Sequence, residues 1–354
     1  MPDTDPRPAV CVINHQGAAF LESTLRAIEA CDAEISERVL IDGGSTDDSL
    51  AIATRHPAFR VVELGTNLGP GAARNRGLEE TRSRRVLFVD ADVSIEPGCA
   101  AGLAEALARD PRAAVAVPVV RYADDPGRIQ YAGADAHFLG VLAPREADRP
   151  FPLPDTGVRE VGAAITACFM TERVRLGTVR FDESFFIYQE DLDFSLRLRS
   201  GGASILLVPG TSCLHGPGTP GLSLRATGRY APLRVFCLIR NRWQVILVGY
   251  STGTLARLSP ALVAYEAAQV AAALGNGWIR EWLRAASWLL RHAGEVTVKR
   301  RRVQEERTVG DLALLSGGPI PIRPEAAHGR IARAGLGGLE RWTALVWRLA
   351  RRGP

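Results

Sequence analysis

Between residues 9 and 120 the chain repeats one unit, a short and nearly continuous apolar run followed by a stretch with helical spacing. A-V-C-V-I-N reads as a strand, Ala18–Ala30 as a helix, R-V-L-I-D as a strand and Asp47–Arg55 as a helix. R-V-V-E-L, the helix Gly71–Thr81, R-V-L-F-V-D, the helix Cys99–Arg109 and A-V-A-V-P-V-V continue the series. Strands that are apolar on both faces and separated by helices require a mostly parallel sheet covered on both sides, an α/β architecture. In such sheets ligands collect at the carboxyl ends of the strands.

Residues 121–160 lose the rhythm and become rich in Pro, Gly, Asp and Arg, a long excursion of the kind that covers a site. Order returns at V-G-A-A-I-T-A-C-F-M, then in a helix that begins at Glu190 and is stopped by Gly201 and Gly202, then in the strand A-S-I-L-L-V-P. From about Tyr230 the pattern is helical and increasingly arginine-rich. The expected organisation is a lead over residues 1–8, an α/β domain over 9–228, a helical region over 229–310 and a basic tail over 311–354.

A hydrophobic fraction of 46% in 354 residues supplies a sizeable core, and a net charge of only +4 argues against a nucleic-acid partner. The six cysteines form no C-x-x-C pair, which fits small buried hydrophobes in a reducing cytoplasm. The first residues lack the basic and apolar regions of a signal peptide. Arg240 and Arg242 divide one apolar helix and Glu266 and Gln269 the next, so a membrane span is not expected, whereas lying on a membrane surface is compatible with the pattern.

Four stretches carry chemistry. Asp90 and Asp92 end the strand V-L-F-V-D-A-D on one face, and two hard oxygen donors suit Mg²⁺ or Mn²⁺. Asp42 ends another apolar strand before G-G-S-T-D, where it could accept hydrogen bonds from a base or sugar, while Ser45 is read first as a cap for the helix that follows. G-P-G at 69–71 opens a helix and could present backbone N–H groups to phosphate, with Arg74 adding a planar donor; an ordinary turn is the other reading. Glu190, Asp191 and Asp193 stand in a first helical turn, where acids also stabilise the helix dipole.

In this order the stretches resemble family 2 glycosyltransferases, which have the GT-A fold. The matching residues are Ile13–Gly17, I-D-G-G-S-T-D, Asn67–Gly77, D-A-D, Phe181–Asp191, His215, and Arg240 with Asn241. The overall pattern is similar to the bacterial rhamnosyltransferase-like branch that builds cell-surface polysaccharide. The resemblance implies transfer of a sugar, with inversion, from a dTDP-, UDP- or GDP-linked donor to a hydroxyl of a glycan or lipid-linked acceptor. It implies that Asn14, Asp42, Ser45, Gly69, Arg74, Asn75 and Asp90 serve the donor nucleotide. Asp92 and His215 would hold the cation, and Asp191, with Glu190 beside it, would be the general base. His15, Gln16 and Gly43 depart from the family's usual residues at the nucleotide end. A catalytically silent surface or scaffold protein on the same fold is the alternative, against which the intact D-A-D and E-D argue; the missing G-x-G-x-x-G disfavours a dinucleotide oxidoreductase.

The tail adds one expectation. On a helix, Leu339, Trp342, Val346 and Leu349 form a stripe with Arg341, Arg348 and Arg352 on another face, as in helices that rest on anionic membrane surfaces. A cytoplasmic protein, peripheral on the inner face of the plasma membrane, follows from that reading.

Overall fold

The computed structural model describes residues 5–218, 231–321 and 330–352. The chain divides into two units, Met1–Ala134 with Pro144–Arg229, and Asp135–Ala143 with Tyr230–Pro354. The boundary expected at 228/229 lies outside the described residues, as do the first four and last two residues.

The first unit begins with β1 (Ala9–Asn14), α1 (Ala18–Glu29), β2 (Glu37–Asp42), α2 (Ser49–Ala53), β3 (Arg60–Glu63), α3 (Pro70–Glu80) and β4 (Arg85–Asp90). It continues with β5 (Val93–Ile95), α4 (Cys99–Arg109), β6 (Ala113–Tyr122) and β7 (Ile129–Tyr131). β8 (Ala134–His137) and β9 (Val141–Pro144) fall mostly in the second unit, after which the first resumes with β10 (Arg159–Glu160), β11 (Cys168–Glu172), α5 (Arg173–Leu176), α6 (Glu190–Ser200) and β12 (Ser204–His215). The sheet runs β10-β12-β6-β11-β4-β1-β2-β3, with β5 on β12 and β7 on β6.

The strands β4, β1, β2 and β3 are parallel neighbours, as the alternation requires. β11 departs from it, lying antiparallel between β4 and β6. The excursion at 121–160 is not structureless: it holds β7, β8, β9 and β10, each two to four residues long and too short to show a period.

Apolar side chains fill both faces of this sheet. Val10, Val12, Leu40, Leu87 and Val89 lie in one core with α1 and α4, and Cys11, Ile13, Val39, Val86 and Phe88 lie in the other. The six cysteines are buried free thiols.

The second unit is helical: α7 (Pro232–Gly249), α8 (Thr252–Gly275), α9 (Ile279–Arg291), α10 (Ala293–Glu305), α11 (Asp311–Leu314) and α12 (Arg330–Ala350). β13 (Leu315–Ser316) pairs in parallel with β8. Glu266 ties three helices together, accepting from Arg242 Nη1 at 2.7 Å, Trp243 Nε1 at 2.9 Å and Trp282 Nε1 at 2.8 Å. Among the described residues no helix is long and apolar enough to cross a membrane.

The stripe expected on the tail helix is rotated. Val346, Trp347 and Ala350 are buried, and Trp347 stacks on Phe138 at 4.9 Å, so Val346 turns inward. Trp342, Leu345 and Leu349 remain exposed, with Arg341, Arg348 and Arg352 exposed beside them in sequence.

Candidate active site at the carboxyl ends of the strands

Register aligns the site. Asn14 pairs with Asp42 across β1 and β2, and Ile13 pairs with Asp90 across β1 and β4, so three adjacent parallel strands end in polar side chains at one edge. The strands are apolar up to that edge because helices cover both of their faces there.

Asp42 is turned inward and 1% exposed. Its Oδ1 accepts from Asn14 Nδ2 at 2.7 Å and from Ser45 Oγ at 2.6 Å, and its Oδ2 accepts from the Ser45 amide at 2.8 Å. Asn14, Asp42 and Ser45 therefore build the turn after β2. His15, whose Nδ1 lies 2.9 Å from the Gly43 carbonyl, and Gln16 form its half-buried rim.

The loop before α3 also has an internal task. The Gly69 amide donates to Asn67 Oδ1 at 2.9 Å, and Pro70 has no N–H to offer. Gly69 has φ +89°, and a Cβ there would stand 2.0 Å from the Phe186 carbonyl oxygen, so only glycine lets this loop meet the segment before α6. Asn75 clamps the same segment: its Nδ2 donates to the Phe181 carbonyl at 3.0 Å and to Glu183 at 2.9 Å, and its Oδ1 accepts from the Phe181 amide at 2.9 Å.

Arg74 is a buried cation, 2% exposed, rather than a surface donor. Its Nη2 donates to Asp90 Oδ1 at 2.8 Å and to the Thr166 carbonyl at 2.9 Å, and its Nη1 lies 3.6 Å from Glu190 Oε1. The guanidinium also lies over the Phe181 ring at 5.5 Å. Its charge thus links the end of β4 to the start of α6. Thr166 was not signalled by the sequence, because a backbone carbonyl leaves no mark in residue type.

The chain enters α6 through a strained stretch. Phe186, Tyr188 and Gln189 all have φ between +62° and +68°, conformations that non-glycine residues hold only where the surroundings impose them. Glu190 is buried, and its Oε2 has no hydrogen-bond partner. Burial, then repulsion from Asp191, pushes the Glu190 carboxyl up to about 8, while Arg74 opposes the rise. Burial also pushes Asp191 up to about 6, against the Leu192 amide that donates to its Oδ1 at 2.8 Å. Burial thus raises both carboxyls, Glu190 further than Asp191, so Asp191 is the readier of the two to give up its proton and act as a base. Asp193 has a structural task, an ion pair with Arg197 at 2.5 Å.

Asp92 follows β4, and β5 pairs with β12 so that Val93 faces His215. His215 Nε2 lies 3.5 Å from Asp92 Oδ2, and the Gly216 amide donates to the Asp92 carbonyl at 2.7 Å. Burial raises Asp90 above the ordinary carboxylate range; Arg74 and His215 oppose this and Asp92 adds to it, so the groups at the end of β4 act on one another electrostatically.

A divalent cation fits this pair. Two donors on adjacent vertices of an octahedral shell of Mg²⁺ or Mn²⁺ are about 3 Å apart, close to the spacing seen; the carboxylate suits either ion, and the softer imidazole nitrogen favours Mn²⁺ over Mg²⁺. Among the described residues no group of three His, Cys, Asp or Glu side chains converges, so such an ion would complete its shell with water and substrate oxygens.

Residues 9–171 match the family model described as Glycosyl transferase family 2. An N-acetylglucosaminyl-diphospho-decaprenol L-rhamnosyltransferase of Mycobacterium tuberculosis is 29% identical over 60% of this chain and 76% of that protein. The Rhizobium meliloti succinoglycan biosynthesis protein ExoU is 33% identical over 26% of this chain and 28% of its own length. Among solved structures, GalNAc-T7 with UDP, GalNAc and Mn²⁺ superposes with a TM-score of 0.54 at 18% identity, over 72% of this chain and 51% of that one, so this chain spans about half of it. S. aureus TarS 1-349 superposes with a TM-score of 0.50 at 16% identity, over 97% and 91% of the two chains. These structural likenesses show the GT-A fold. Residues 9–171 therefore match glycosyl transferase family 2, and the likeness to the solved structures is one of fold.

Proposed function

We propose that the protein moves a sugar, with inversion, from a nucleoside-diphosphate donor to a hydroxyl of a glycan or lipid-linked acceptor, and that Asp191 is the general base. The observation that carries the proposal is the start of α6, where Arg74 Nη1 lies 3.6 Å from Glu190 Oε1, the Leu192 amide donates to Asp191 Oδ1 at 2.8 Å, and burial raises the Glu190 carboxyl further than that of Asp191. In the transfer the acceptor oxygen bonds to the anomeric carbon, the bond from that carbon to the diphosphate oxygen breaks on the opposite face, and Asp191 takes the hydroxyl proton. Arg74 orients Asp90 and Glu190, and Asn75 with Gly69 fixes the approach to α6. The half-buried rim at His15 and Gln16 is the nucleotide side. Asp92 and His215 would hold Mg²⁺ or Mn²⁺, which supplies positive charge opposite the departing diphosphate.

The M. tuberculosis relative's name specifies L-rhamnose and a polyprenyl-diphosphate-linked acceptor, which supports a deoxyhexose donor and a lipid-linked acceptor here. A peripheral membrane position at the cytoplasmic face suits such an acceptor, and the exposed Trp342, Leu345 and Leu349 with nearby arginines are its contact on this reading.

Calorimetry with UDP and dTDP, with and without Mn²⁺, joined to NMR of the product's anomeric configuration, tests the proposal. It expects nucleotide binding strengthened by Mn²⁺ and an inverted product. Retention of configuration would refute it.

A further inference from the structure

His215 can bind a cation only through a nitrogen that carries no proton, so the side chain that sets its tautomer decides whether it is a ligand. Its Nδ1 lies 2.7 Å from Gln130 Oε1. A side-chain amide oxygen only accepts, so this bond places the imidazole proton on Nδ1 and leaves the lone pair on Nε2. Nε2 is the nitrogen that faces Asp92 Oδ2 at 3.5 Å.

The strands explain why Gln130 stands there. On β7 its neighbours Ile129 and Tyr131 are buried, 0% and 7% exposed, and by strand alternation Gln130 points the other way. β7 pairs with β6, and β6 pairs with β12 so that Tyr122 faces His215, which brings the early part of the excursion against the histidine. Tyr131 adds an edge-on ring contact to His215 at 6.4 Å and 83°.

We propose that Gln130 is a positioning residue for the cation site, holding His215 in the Nδ1–H tautomer and at the ring angle that offers Nε2 beside Asp92. The inference rests on the reading of Asp92 and His215 as cation ligands. Hydrogen-bond acceptors behind metal-bound histidines do this work widely, and losing one typically weakens metal affinity 10- to 100-fold.

The test uses the full-length protein labelled with ¹⁵N-histidine, with His215→Ala to assign the signal and Gln130→Leu and Gln130→Glu as variants. In metal-free protein, ¹⁵N shifts should report the Nδ1–H tautomer for wild type and Gln130→Glu, and loss of that preference for Gln130→Leu. Mn²⁺ titrations followed by electron paramagnetic resonance, in the presence of UDP, should show affinity about 10- to 100-fold weaker in Gln130→Leu and kept in Gln130→Glu. A proton on Nε2 in wild type, or a Gln130→Leu variant that matches wild type in tautomer or Mn²⁺ affinity, overturns the inference and leaves the cation site standing. Absence of Mn²⁺ binding in wild type overturns the cation site itself, a result separable from the first because the tautomer is read without metal.

Discussion

Replacing Glu190 with Gln puts a permanently neutral side chain where a protonated carboxyl is expected. Burial lifts Glu190 from an ordinary 4.5 to about 8, so between those values the folded protein holds a proton that the unfolded chain has released. Stability therefore falls as pH rises through this window, by about 1.4 kcal/mol per pH unit for a group that differs by one full proton. Over the whole window the loss is on the order of 5 kcal/mol, and it is absent when residue 190 cannot ionise. Urea titrations of wild type and Glu190→Gln from pH 5 to pH 9 isolate the effect, because every other titrating group is common to both proteins. The two should be similar near pH 5, with the variant increasingly the more stable toward pH 9. A stability difference that stays constant with pH, or that favours wild type at high pH, would show that Glu190 is ionised throughout and that the asymmetry at the start of α6 is absent.

Other consequences follow from the same geometry. The pH profile of kcat/KM should rise through about 6 as Asp191 loses its proton, and a profile flat between pH 5 and 8 would remove Asp191 as the base. Arg74→Met removes the buried partner of the half-buried Asp90 carboxylate and should cost about 1–3 kcal/mol in urea unfolding, whereas no measurable cost would mean that the Arg74–Asp90 bond is not formed. Trp342, Leu345 and Leu349 changed together to Ser should leave folding within about 1 kcal/mol, since all three are exposed, yet reduce sedimentation with phosphatidylglycerol vesicles; unchanged sedimentation would dismiss the surface-helix reading.

The strand ends were legible in the sequence because an apolar run closed by Asp is a local pattern, and Asp42 and Asp90 stand out that way, whereas Asn14 and Asp191 came from the family resemblance. Their partners were harder to read. Arg74 looks like a phosphate donor beside a glycine loop, but its guanidinium is claimed by Asp90 and by the carbonyl of Thr166, far along the chain. Asn75 and Gly69 likewise act on residues 181–186, and nothing near them in sequence announces that contact. The short strands of the 121–160 excursion carry too few residues for a period, which hid Gln130 behind His215. The tail helix was recognisable as amphipathic, but its orientation was not, because Trp347 is anchored on Phe138.

The central claim is that Asp191 takes the proton of the acceptor hydroxyl. Single-turnover sugar transfer by Asp191→Asn, with nucleotide affinity measured on the same preparation, tests it most directly. The expected result is a rate lowered by about 10²- to 10⁴-fold with UDP or dTDP affinity unchanged within about threefold. A variant that transfers sugar at the wild-type rate would contradict the assignment and the account of α6 built on it.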